Sequence, residues 1–550
     1  MKKLFLPVIA IIAVAILASA ATRSKKSEIS RNLDIFNSIY KELQTFYVDS
    51  IDAEKSITTA ISAMLNDIDP YTEYIPAKEQ EQFRTMTTGE YGGIGSVIQQ
   101  GPRGVIISEP YEGSPALQSG LRPGDLIIMI DSDSVIGWPS DKVSAKLKGP
   151  NGTPLRVTVS RPYVGADSIR VFDLRRAKIQ IPSVPYYGML RDKIGYIGLN
   201  TFSDKSYPEV RAALESLLAD GARGIVLDLR GNGGGLVESA VQILGLFLPK
   251  GTTVLNTRGK GVMNDKVYKT SVAPLDTKLP LAVLVDGASA SASEIVAGAI
   301  QDLDRGVIIG NRSFGKGLVQ TTRQLPYDGM LKVTVAKYYI PSGRLIQAID
   351  YSHRNPDGSV GRIPDSLTSV FHTAGGREVR DGGGITPDLT VEYPEVNRLT
   401  YNVVRDNWAF DFATRYAAAH DTIPSPDDFE ITDEIYEEFR KSIDPTRFDY
   451  DKVVETALKQ LREIADAEGY LNDSTKTQLD VLANLMRHDL DHDLQINRKN
   501  ISPYLAREII NRYYYQKGER RFSLRDDRAI DSALVILTSP RYDSLLKPTR

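Results

Sequence analysis

Residues 185–395 alternate short apolar runs with amphipathic segments, and this alternation constrains the fold more than any other feature of the chain. The predicted strands are Ile194–Leu199, Gly224–Leu229, Leu281–Val285 and Val307–Ile309. The predicted helices are Tyr207–Leu218, Leu236–Phe247 and Ser291–Leu303. Buried strands that alternate with helices predict an α/β core with a largely parallel sheet.

The rest of the chain divides into blocks of different character, because 550 residues are too many for one ordinary domain. Residues 30–86 carry apolar side chains at helical spacing, including a predicted helix at Ala53–Leu65. Residues 88–178 combine small strands, two short helices and glycine turns, which suggest a partly open β-barrel module. We therefore expect an N-terminal helical region, this module, a core over 179–395 and a helical C-terminal extension over 396–550.

The C-terminal extension is predicted to consist of charged amphipathic helices at Asp449–Ala467, Ser474–His488 and Ala506–Gln516. Within it, His488 and His492 are four residues apart, a spacing that would place both on one helix face and is compatible with a metal site. The flanking Arg487 and aspartates are instead typical of a solvated face. We therefore expect no metal there.

The N-terminus has the features of a secretory signal peptide. Lys2 and Lys3 precede an apolar run from Leu4 to Ala18, and Ala18-Ser19-Ala20 fits a cleavage site. The alternative is an uncleaved membrane anchor, although the run is slightly short for a full span. The chain has no cysteine, which excludes disulfides and lipoprotein attachment. These features predict export of residues 21–550 to the periplasm or cell envelope.

A serine cluster at the start of a predicted helix is the main chemical feature of the core. Gly287-Ala-Ser-Ala-Ser-Ala-Ser-Glu294 offers Ser289, Ser291 and Ser293 as nucleophiles, and periodicity alone does not separate them. We choose Ser291. A helix start presents free N–H groups and a positive dipole end, which can stabilise an oxyanion. Because such serines are usually only N-caps, the cluster needs a base to indicate catalysis.

Lys316 is the candidate base, since none of the five histidines lies in a nucleophile motif. A lysine acts as a base only when desolvation lowers its pKa from about 10.4 toward neutrality. The neighbouring residues Phe314–Val319 contain no carboxylate, and Gln320 is placed to orient the amine. Taken alone, Lys316 would be better explained as a surface lysine in a glycine turn.

A glycine loop, Asp228-Leu-Arg-Gly-Asn-Gly-Gly-Gly235, follows a buried strand and precedes a helix. Open α/β sheets place their sites at such strand ends, so the loop could supply a second oxyanion donor. The alternative is a phosphate-binding loop, but the lysine and hydroxyl residue that end a P-loop are missing.

Seven motifs in order make the chain resemble the carboxy-terminal processing proteases, the tail-specific serine peptidases of family S41. The motifs are Tyr91-Gly-Gly-Ile-Gly95, Leu121-Arg-Pro-Gly-Asp125, Asp228-Leu-Arg…Gly-Gly235, Ser289-Ala-Ser-Ala-Ser-Glu294, Ser313-Phe-Gly-Lys-Gly317, Tyr339-Ile-Pro-Ser-Gly343 and Gly383-Gly-Ile-Thr-Pro-Asp388. The resemblance implies an α/β Ser–Lys protease core of the crotonase/ClpP-like class with an inserted PDZ domain over 88–178.

The resemblance also implies roles for individual residues. Ser291 would be the nucleophile, Lys316 the general base and Gln320 the residue that orients the lysine, with no cofactor or metal. The N–H groups of Ala292 and Gly234 would form the oxyanion hole, although three consecutive glycines leave the second donor open. A PDZ loop containing Gly93, Ile94 and Gly95 would hold a substrate's C-terminal carboxylate. Glu294 receives no catalytic role, because the helix dipole alone explains an acidic residue there.

The expected partners are protein or peptide substrates with apolar C-termini. The helices of 396–550 could form a homo-oligomer, cap the PDZ domain or bind a delivery partner. The net charge of −3 argues against nucleic acid as a partner. Two alternatives remain: a catalytically inactive PDZ scaffold, and a ligand-binding protein of the same wider fold. A penicillin-interacting enzyme is disfavoured, because it needs its serine and lysine three residues apart on a helix.

Overall fold

The computed structural model describes residues 27–162, 168–261, 264–355, 359–448, 450 and 452–548. The predicted signal peptide, residues 1–20, lies outside this range. The chain forms two compact units: one comprises the described residues up to Ala77 together with Gln320–Val333, and the other comprises Lys78–Val319 together with the described residues from Thr334 onward. Within the described residues, no helix has the length and apolar character needed to span a bilayer.

The smaller unit contains helix α1 (27–46), helix α2 (Ala53–Asn66) and strand β1 (Glu73–Ile75). The strand was not predicted within the helical region 30–86. After α2, the Asp69 carboxylate accepts hydrogen bonds from the N–H groups of Tyr71 and Thr72 and turns the chain. The extended residues that follow pair antiparallel with Met330–Lys332 in the same unit. Helical spacing of apolar residues could not show this pairing, because the partner is about 260 positions away.

The module predicted over 88–178 is an antiparallel sheet with two helices. Its core is formed by side chains such as Ile107, Ile127 and Val157, which are fully buried. Helix α3 (Gln80–Thr88) leads into it, and the strands β2 (Glu90–Gly93) and β9 (Ala177–Gln180) form a separate two-stranded pair. The remaining elements are β3 (Ser96–Gly101), β4 (Gly104–Pro110), α4 (Pro115–Ser119), β5 (Leu126–Ile130), β6 (Asp133–Ser134), α5 (Ser140–Leu147), β7 (Pro154–Arg161) and β8 (Ser168–Arg175).

The α/β core has the parallel sheet that the sequence predicts. Its strands, in their order across the sheet, are β10 (Tyr186–Met189), β11 (Ile194–Gly198), β12 (Gly224–Asp228), β15 (Leu281–Val285), β16 (Val307–Gly310) and β23 (Leu389–Thr390). Every neighbouring pair is parallel except the edge pair of β10 and β11. Helices α6, α7 and α8 pack with the sheet in one large apolar cluster. The helices are α6 (Ser206–Ala219), α7 (Val237–Phe247) and α8 (Ala292–Asp302).

Strands outside this sheet complete the region between 253 and 380. Residues Asn256–Gly259 of β13 pair antiparallel with Ala336–Tyr339 of β18 in the larger unit. The strands are β13 (Thr253–Gly259), β14 (Lys266–Lys269), β17 (Leu318–Gln324), β18 (Met330–Tyr339), β19 (Ile349–Arg354), β20 (Val360–Arg362), β21 (Val370–His372) and β22 (Glu378–Arg380).

The C-terminal region is helical, as predicted, and its helices build a second apolar core around Phe412, Phe439 and Ile509. His488 lies between α13 and α14, so it does not share a helix with His492; the predicted common face is wrong. Instead, the His488 ring contacts the Asp493 carboxylate at 2.7 Å. The helices are α9 (Arg398–Arg405), α10 (Trp408–Ala419), α11 (Asp433–Ser442), α12 (Val453–Ala467), α13 (Asp473–Leu485), α14 (Leu490–Ile496), α15 (Arg498–Ser523), α16 (Arg528–Leu537) and α17 (Arg541–Leu545).

Helix α16 has a role that the sequence does not predict. Its side chains Ile530, Leu534 and Leu537 pack against residues of the parallel sheet such as Val226 and Leu284. The last helices of the chain therefore cover one face of the core sheet.

Candidate active site

Ser291 occupies a tight turn between a buried strand and a helix. Strand β15 ends at Val285, and α8 begins directly after Ser291. The Ser291 backbone has φ 56° and ψ −113°, a conformation that residues with side chains rarely adopt. Such strain costs about 1–3 kcal/mol and is concentrated at functional sites, including the strand–turn–helix elbows that expose nucleophilic serines.

The two neighbouring serines of the cluster are committed to structural hydrogen bonds. The Ser289 hydroxyl donates to the Leu229 carbonyl, and the Ser293 hydroxyl donates to the Asn232 carbonyl, each at 2.8 Å. Both side chains are fully buried, whereas Ser291 is only partly buried. The structure thus separates the three serines, which the sequence could not, and leaves Ser291 as the accessible one.

The glycine loop 228–235 is attached to the serine turn through Asn232, which is fully buried. The Asn232 carbonyl accepts hydrogen bonds from the Ala290 N–H and from the Ser293 hydroxyl. The Asn232 side-chain amide donates to the Leu199 carbonyl at the end of β11. The sequence singled out the loop but not Asn232; an asparagine between glycines is too common in turns to mark such a centre.

Gly234 lies against Ser291, the candidate nucleophile, as its predicted role requires. A Cβ atom at Gly234 would lie 2.8 Å from Ser291 Cβ and 2.9 Å from the Ala292 nitrogen, so only glycine fits. The Gly234 N–H, however, donates to the Asn232 side-chain oxygen at 2.9 Å. Its role as an oxyanion donor stays a prediction that requires this bond to open. Ala292, the first residue of α8, has by helix geometry an N–H without an intrahelical acceptor.

Glu294 is the residue whose importance the sequence did not reveal. One oxygen, Oε2, accepts hydrogen bonds from the Ser291 N–H and the Lys316 N–H, each at 2.9 Å. The other, Oε1, accepts from the Gly315 N–H at 2.6 Å and from the Ser313 hydroxyl. Glu294 therefore holds the backbone of the candidate nucleophile and of the candidate base together.

Complete burial of Glu294 changes its acidity. Burial raises the pKa of its carboxyl from 4.5 to about 7, and the four donors act in the opposite direction. The sequence contained a signal, because a glutamate three residues after a helix-capping serine is the pattern of a capping box. That pattern accounts for the bond to Ser291 but not for the bonds to residues 313–316.

Lys316 lies in a segment that Glu294 and β18 fix. The Gly317 carbonyl accepts from the Tyr338 N–H, and the Tyr338 hydroxyl donates to the Ser291 carbonyl at 3.3 Å. The neighbouring residues Phe314–Val319 supply no carboxylate, but Glu294 binds the Lys316 N–H from another element, a contact that the sequence did not predict. Gln320 lies in β17 and belongs to the smaller unit, so its action on Lys316 stays a prediction.

The predicted carboxylate-binding loop has a tightly packed backbone. Gly93 pairs with Ala177 across β2 and β9, and the Ile94 carbonyl accepts from the Ala116 N–H. Gly95 has φ 73°, and a Cβ there would lie 2.5 Å from Ser114 Cβ. The structure thus orders the loop between β2 and β3, while binding of a carboxylate by its N–H groups stays a prediction.

Comparison with protein-family models covers most of the described chain. The model described as Peptidase family S41 matches residues 193–358, and the PDZ domain model matches residues 82–160. A model described as "Probable PDZ-protease, C-terminal helical domain" matches residues 399–537. This last match gives the C-terminal extension a family, which no sequence motif had provided.

Curated relatives agree with these matches. A carboxy-terminal-processing protease of Bartonella bacilliformis is 34% identical over 370 residues, which cover 66% of this chain and 83% of the relative. A "Probable CtpA-like serine protease" of Staphylococcus haemolyticus is 31% identical over 395 residues, which cover 72% of this chain and 76% of the relative. The resemblance inferred from the motifs is confirmed.

Two solved structures are also similar in sequence. The photosystem II D1 C-terminal processing protease is 27% identical, with a TM-score of 0.36, over 66% of this chain and 87% of that chain. The PDZ domain of a Vibrio cholerae carboxy-terminal protease, solved with a peptide, is 32% identical, with a TM-score of 0.16, over 17% of this chain and 99% of that chain. Because these TM-scores are low, the family relationship rests on the sequence relatives.

Proposed function

The chain belongs to the carboxy-terminal-processing serine proteases of peptidase family S41, and on that premise we propose that it cleaves with a Ser291–Lys316 dyad. The observation that carries the proposal is the single Glu294 oxygen that accepts both the Ser291 and the Lys316 N–H. The two backbone nitrogens are therefore separated by no more than twice 2.9 Å. This proximity supports the assignment of nucleophile and base to one site. We propose that the core that holds them is of the crotonase/ClpP-like class.

In the proposed reaction, neutral Lys316 Nζ takes the proton of Ser291 Oγ while Oγ attacks the scissile carbonyl carbon. The protonated lysine then gives this proton to the leaving amine, and an acyl-enzyme remains on Ser291. A water molecule, deprotonated by the same lysine, hydrolyses the ester and restores the serine. Gln320 is proposed to orient the amine through its side-chain oxygen, and no cofactor takes part.

The negative charge that develops on the carbonyl oxygen requires hydrogen-bond donors close to Ser291. We assign this role to the N–H groups of Ala292 and Gly234. The support is the start of α8 at Ala292 and the close packing of Gly234 on Ser291. For Gly234, the hydrogen bond to Asn232 must exchange for a bond to the substrate.

Substrate selection is proposed to begin at the PDZ domain. A protein with an apolar C-terminus would add its last residues as a strand, with its carboxylate at the loop of Gly93, Ile94 and Gly95. Cleavage then occurs upstream of the captured tail. With the N-terminal signal described above, we place this activity in the periplasm or cell envelope.

The proposal is tested by incubating the chain with an unfolded protein that ends in an apolar tail. We expect cleavage by the wild type and none by Ser291→Ala. Lys316→Arg should lower kcat by about 10²–10⁴-fold, because arginine always stays protonated and therefore cannot act as a base. Lys337→Arg, an exposed lysine on β18, is the control and should keep full activity. Activity in Lys316→Arg equal to wild type would rule out the dyad.

A further inference from the structure

The glycine loop of the active site is bound from outside the protease core by a residue of the C-terminal helical region. Arg230, in this loop, donates from Nη1 to Asp527 Oδ2 at 2.7 Å. The Arg230 and Asp527 side chains are only 18% and 15% exposed, so solvent screens the pair little. Asp527 lies about 300 positions after the loop, at the start of α16.

Arg230 makes further bonds that fix its guanidinium. Its Nε and Nη2 donate to the two carboxylate oxygens of Asp228, and Nη1 also donates to the Tyr393 hydroxyl. Burial alone would lower the pKa of Arg230, but Asp228 and Asp527 outweigh it and raise the pKa above its usual value. The guanidinium is therefore a permanent cation held between the loop's own aspartate and the aspartate of α16.

The two carboxylate oxygens of Asp527 accept hydrogen bonds from different partners. Oδ1 accepts from the N–H groups of Ala529 and Ile530 and so caps α16, while Oδ2 accepts from Arg230. Helix α16 is itself fixed, because it packs on the parallel sheet. Asp527 therefore holds Arg230 at a fixed position relative to the sheet.

From Arg230 the loop continues directly to the nucleophile. The next residue, Gly231, donates its N–H to the Asp286 carboxylate, and Asn232 binds Ala290 and Ser293. Gly234 then packs against Ser291. A displacement at Arg230 would reach the oxyanion donor and the serine turn within four residues.

We infer that Asp527 is a positioning residue of the protease, which holds the oxyanion loop 228–235 in place through its ion pair with Arg230. The C-terminal helical region is then part of the catalytic unit. The inference rests on the proposed function for its effect on rate, but the contact it describes is independent of activity. Because the loop stabilises the transition state, loss of the pair should lower kcat and leave KM nearly unchanged.

The test uses full-length Asp527→Asn. Its side chain keeps one oxygen, which can cap α16 or meet Arg230 but not both, and the negative charge is lost. We expect kcat to fall about tenfold, with KM within twofold of wild type. Asp527→Ser, which retains a good helix cap and lacks any contact to Arg230, should show the same loss.

Asp531→Asn is the matched control. Asp531 lies one turn further along α16 and forms an ion pair with Arg191 at 2.5 Å, outside the loop. This pair is well exposed, so its removal should leave kcat, KM and the melting temperature unchanged. Equal kcat losses in Asp531→Asn and Asp527→Asn would overturn the inference, as would wild-type kcat in Asp527→Asn.

Amide hydrogen exchange over residues 228–235 tests, independently of catalysis, whether the Arg230–Asp527 ion pair holds the loop in place. Exchange should accelerate about tenfold in both Asp527 variants and stay at the wild-type rate in Asp531→Asn. If exchange is unaltered in the Asp527 variants, or if Asp527→Ser unfolds despite its cap, the inference is wrong. A wild type that shows this exchange pattern but does not cleave would refute the proposed function and leave the contact standing.

Discussion

At the residue scale, one carboxylate binds the backbone of both members of the proposed dyad, Ser291 and Lys316, without belonging to that dyad. Glu294 binds the backbone of both residues, and Ser313 and Gly315 complete its four donors. A carboxylate is well suited to this position, since it only accepts hydrogen bonds and has two oxygens to do so. The bond from the Ser291 N–H to Glu294 helps to hold the strained backbone of Ser291 in place.

Glu294 should make stability depend on pH. Its pKa is 4.5 in the unfolded chain and about 7 in the folded one. The protonated form thus favours folding: the contribution is fully present below pH 4.5 and is lost as the pH rises through 7. This interval corresponds to about 3 kcal/mol. We expect the free energy of unfolding of wild type, relative to Glu294→Gln, to fall by about that amount between pH 4.5 and pH 8.

Urea denaturation of both proteins at several pH values measures this difference, in which all other titrating groups cancel. Glu238→Gln is the control, because Glu238 occupies the first turn of α7 but is exposed. At a fixed pH, Glu238→Gln should unfold at nearly the same urea concentration as the wild type, because surface substitutions change stability little. A constant difference between wild type and Glu294→Gln would contradict the raised pKa.

Residue types and order predicted the identity of the dyad candidates, but not what surrounds them. Periodicity did not separate Ser289, Ser291 and Ser293, and the carbonyl partners of the two buried hydroxyls favour Ser291 as the candidate nucleophile. The bonds of Glu294 to Gly315 and Lys316 join residues more than twenty positions apart. No local spacing encodes such contacts, because they depend on how α8 meets the segment after β16.

At the scale of elements, the ordered loop between β2 and β3 should distinguish a free carboxylate from an amide. We expect a peptide with an apolar C-terminal acid to bind Ser291→Ala protein about 10–100-fold more tightly than the same peptide amidated. The expected range follows from losing hydrogen bonds to a charged group, worth about 1.5–3 kcal/mol. Fluorescence anisotropy with labelled peptides measures both affinities.

Two glycine variants locate this preference in the loop. Gly95 and Gly113 both have positive φ, but a Cβ at Gly95 would clash with Ser114, whereas a Cβ at Gly113 meets open space. In the Ser291→Ala background, Gly95→Ala should abolish the preference for the acid and Gly113→Ala should retain it. Equal binding of acid and amide by the parent protein would remove the proposed role of the loop.

The elements of the parallel core were predicted best, because each strand is a continuous apolar run. The predicted strand Leu281–Val285 is identical to the observed one, and the other predicted core elements differ by one residue at one or both ends. The edge strands β10 and β23 were not predicted. Prediction was poorest where pairing is distant, as for β1, or where a helix ends early. Helix α13 stops at Leu485, three residues before the predicted end at His488.

At the scale of the whole molecule, the end of the C-terminal helical region packs on the protease core. Helix α16 buries Ile530, Leu534 and Leu537 against the parallel sheet, and the Tyr542 hydroxyl accepts from the Leu281 N–H at the start of β15. Composition marked residues 396–550 as a separate helical extension, since charged amphipathic helices carry no signal for which surface they cover. The structure assigns the end of this region to the core.

Removal of residues 524–550 should therefore unfold the protease core. Each large apolar side chain of that layer contributes about 1.5–3 kcal/mol, so several together equal the net stability of a domain, about 5–15 kcal/mol. The control replaces the hairpin of α12 and α13 with a short linker, because neither helix has a buried residue. A short linker can span the gap, since the His488 N–H donates to the Glu455 carboxylate and the two ends of the hairpin therefore lie close together. We expect the hairpin variant to melt within a few degrees of wild type and the truncated chain to be insoluble or to lack a cooperative transition. A soluble truncated chain with the wild-type melting temperature would show that α16 does not stabilise the core sheet and would contradict this prediction.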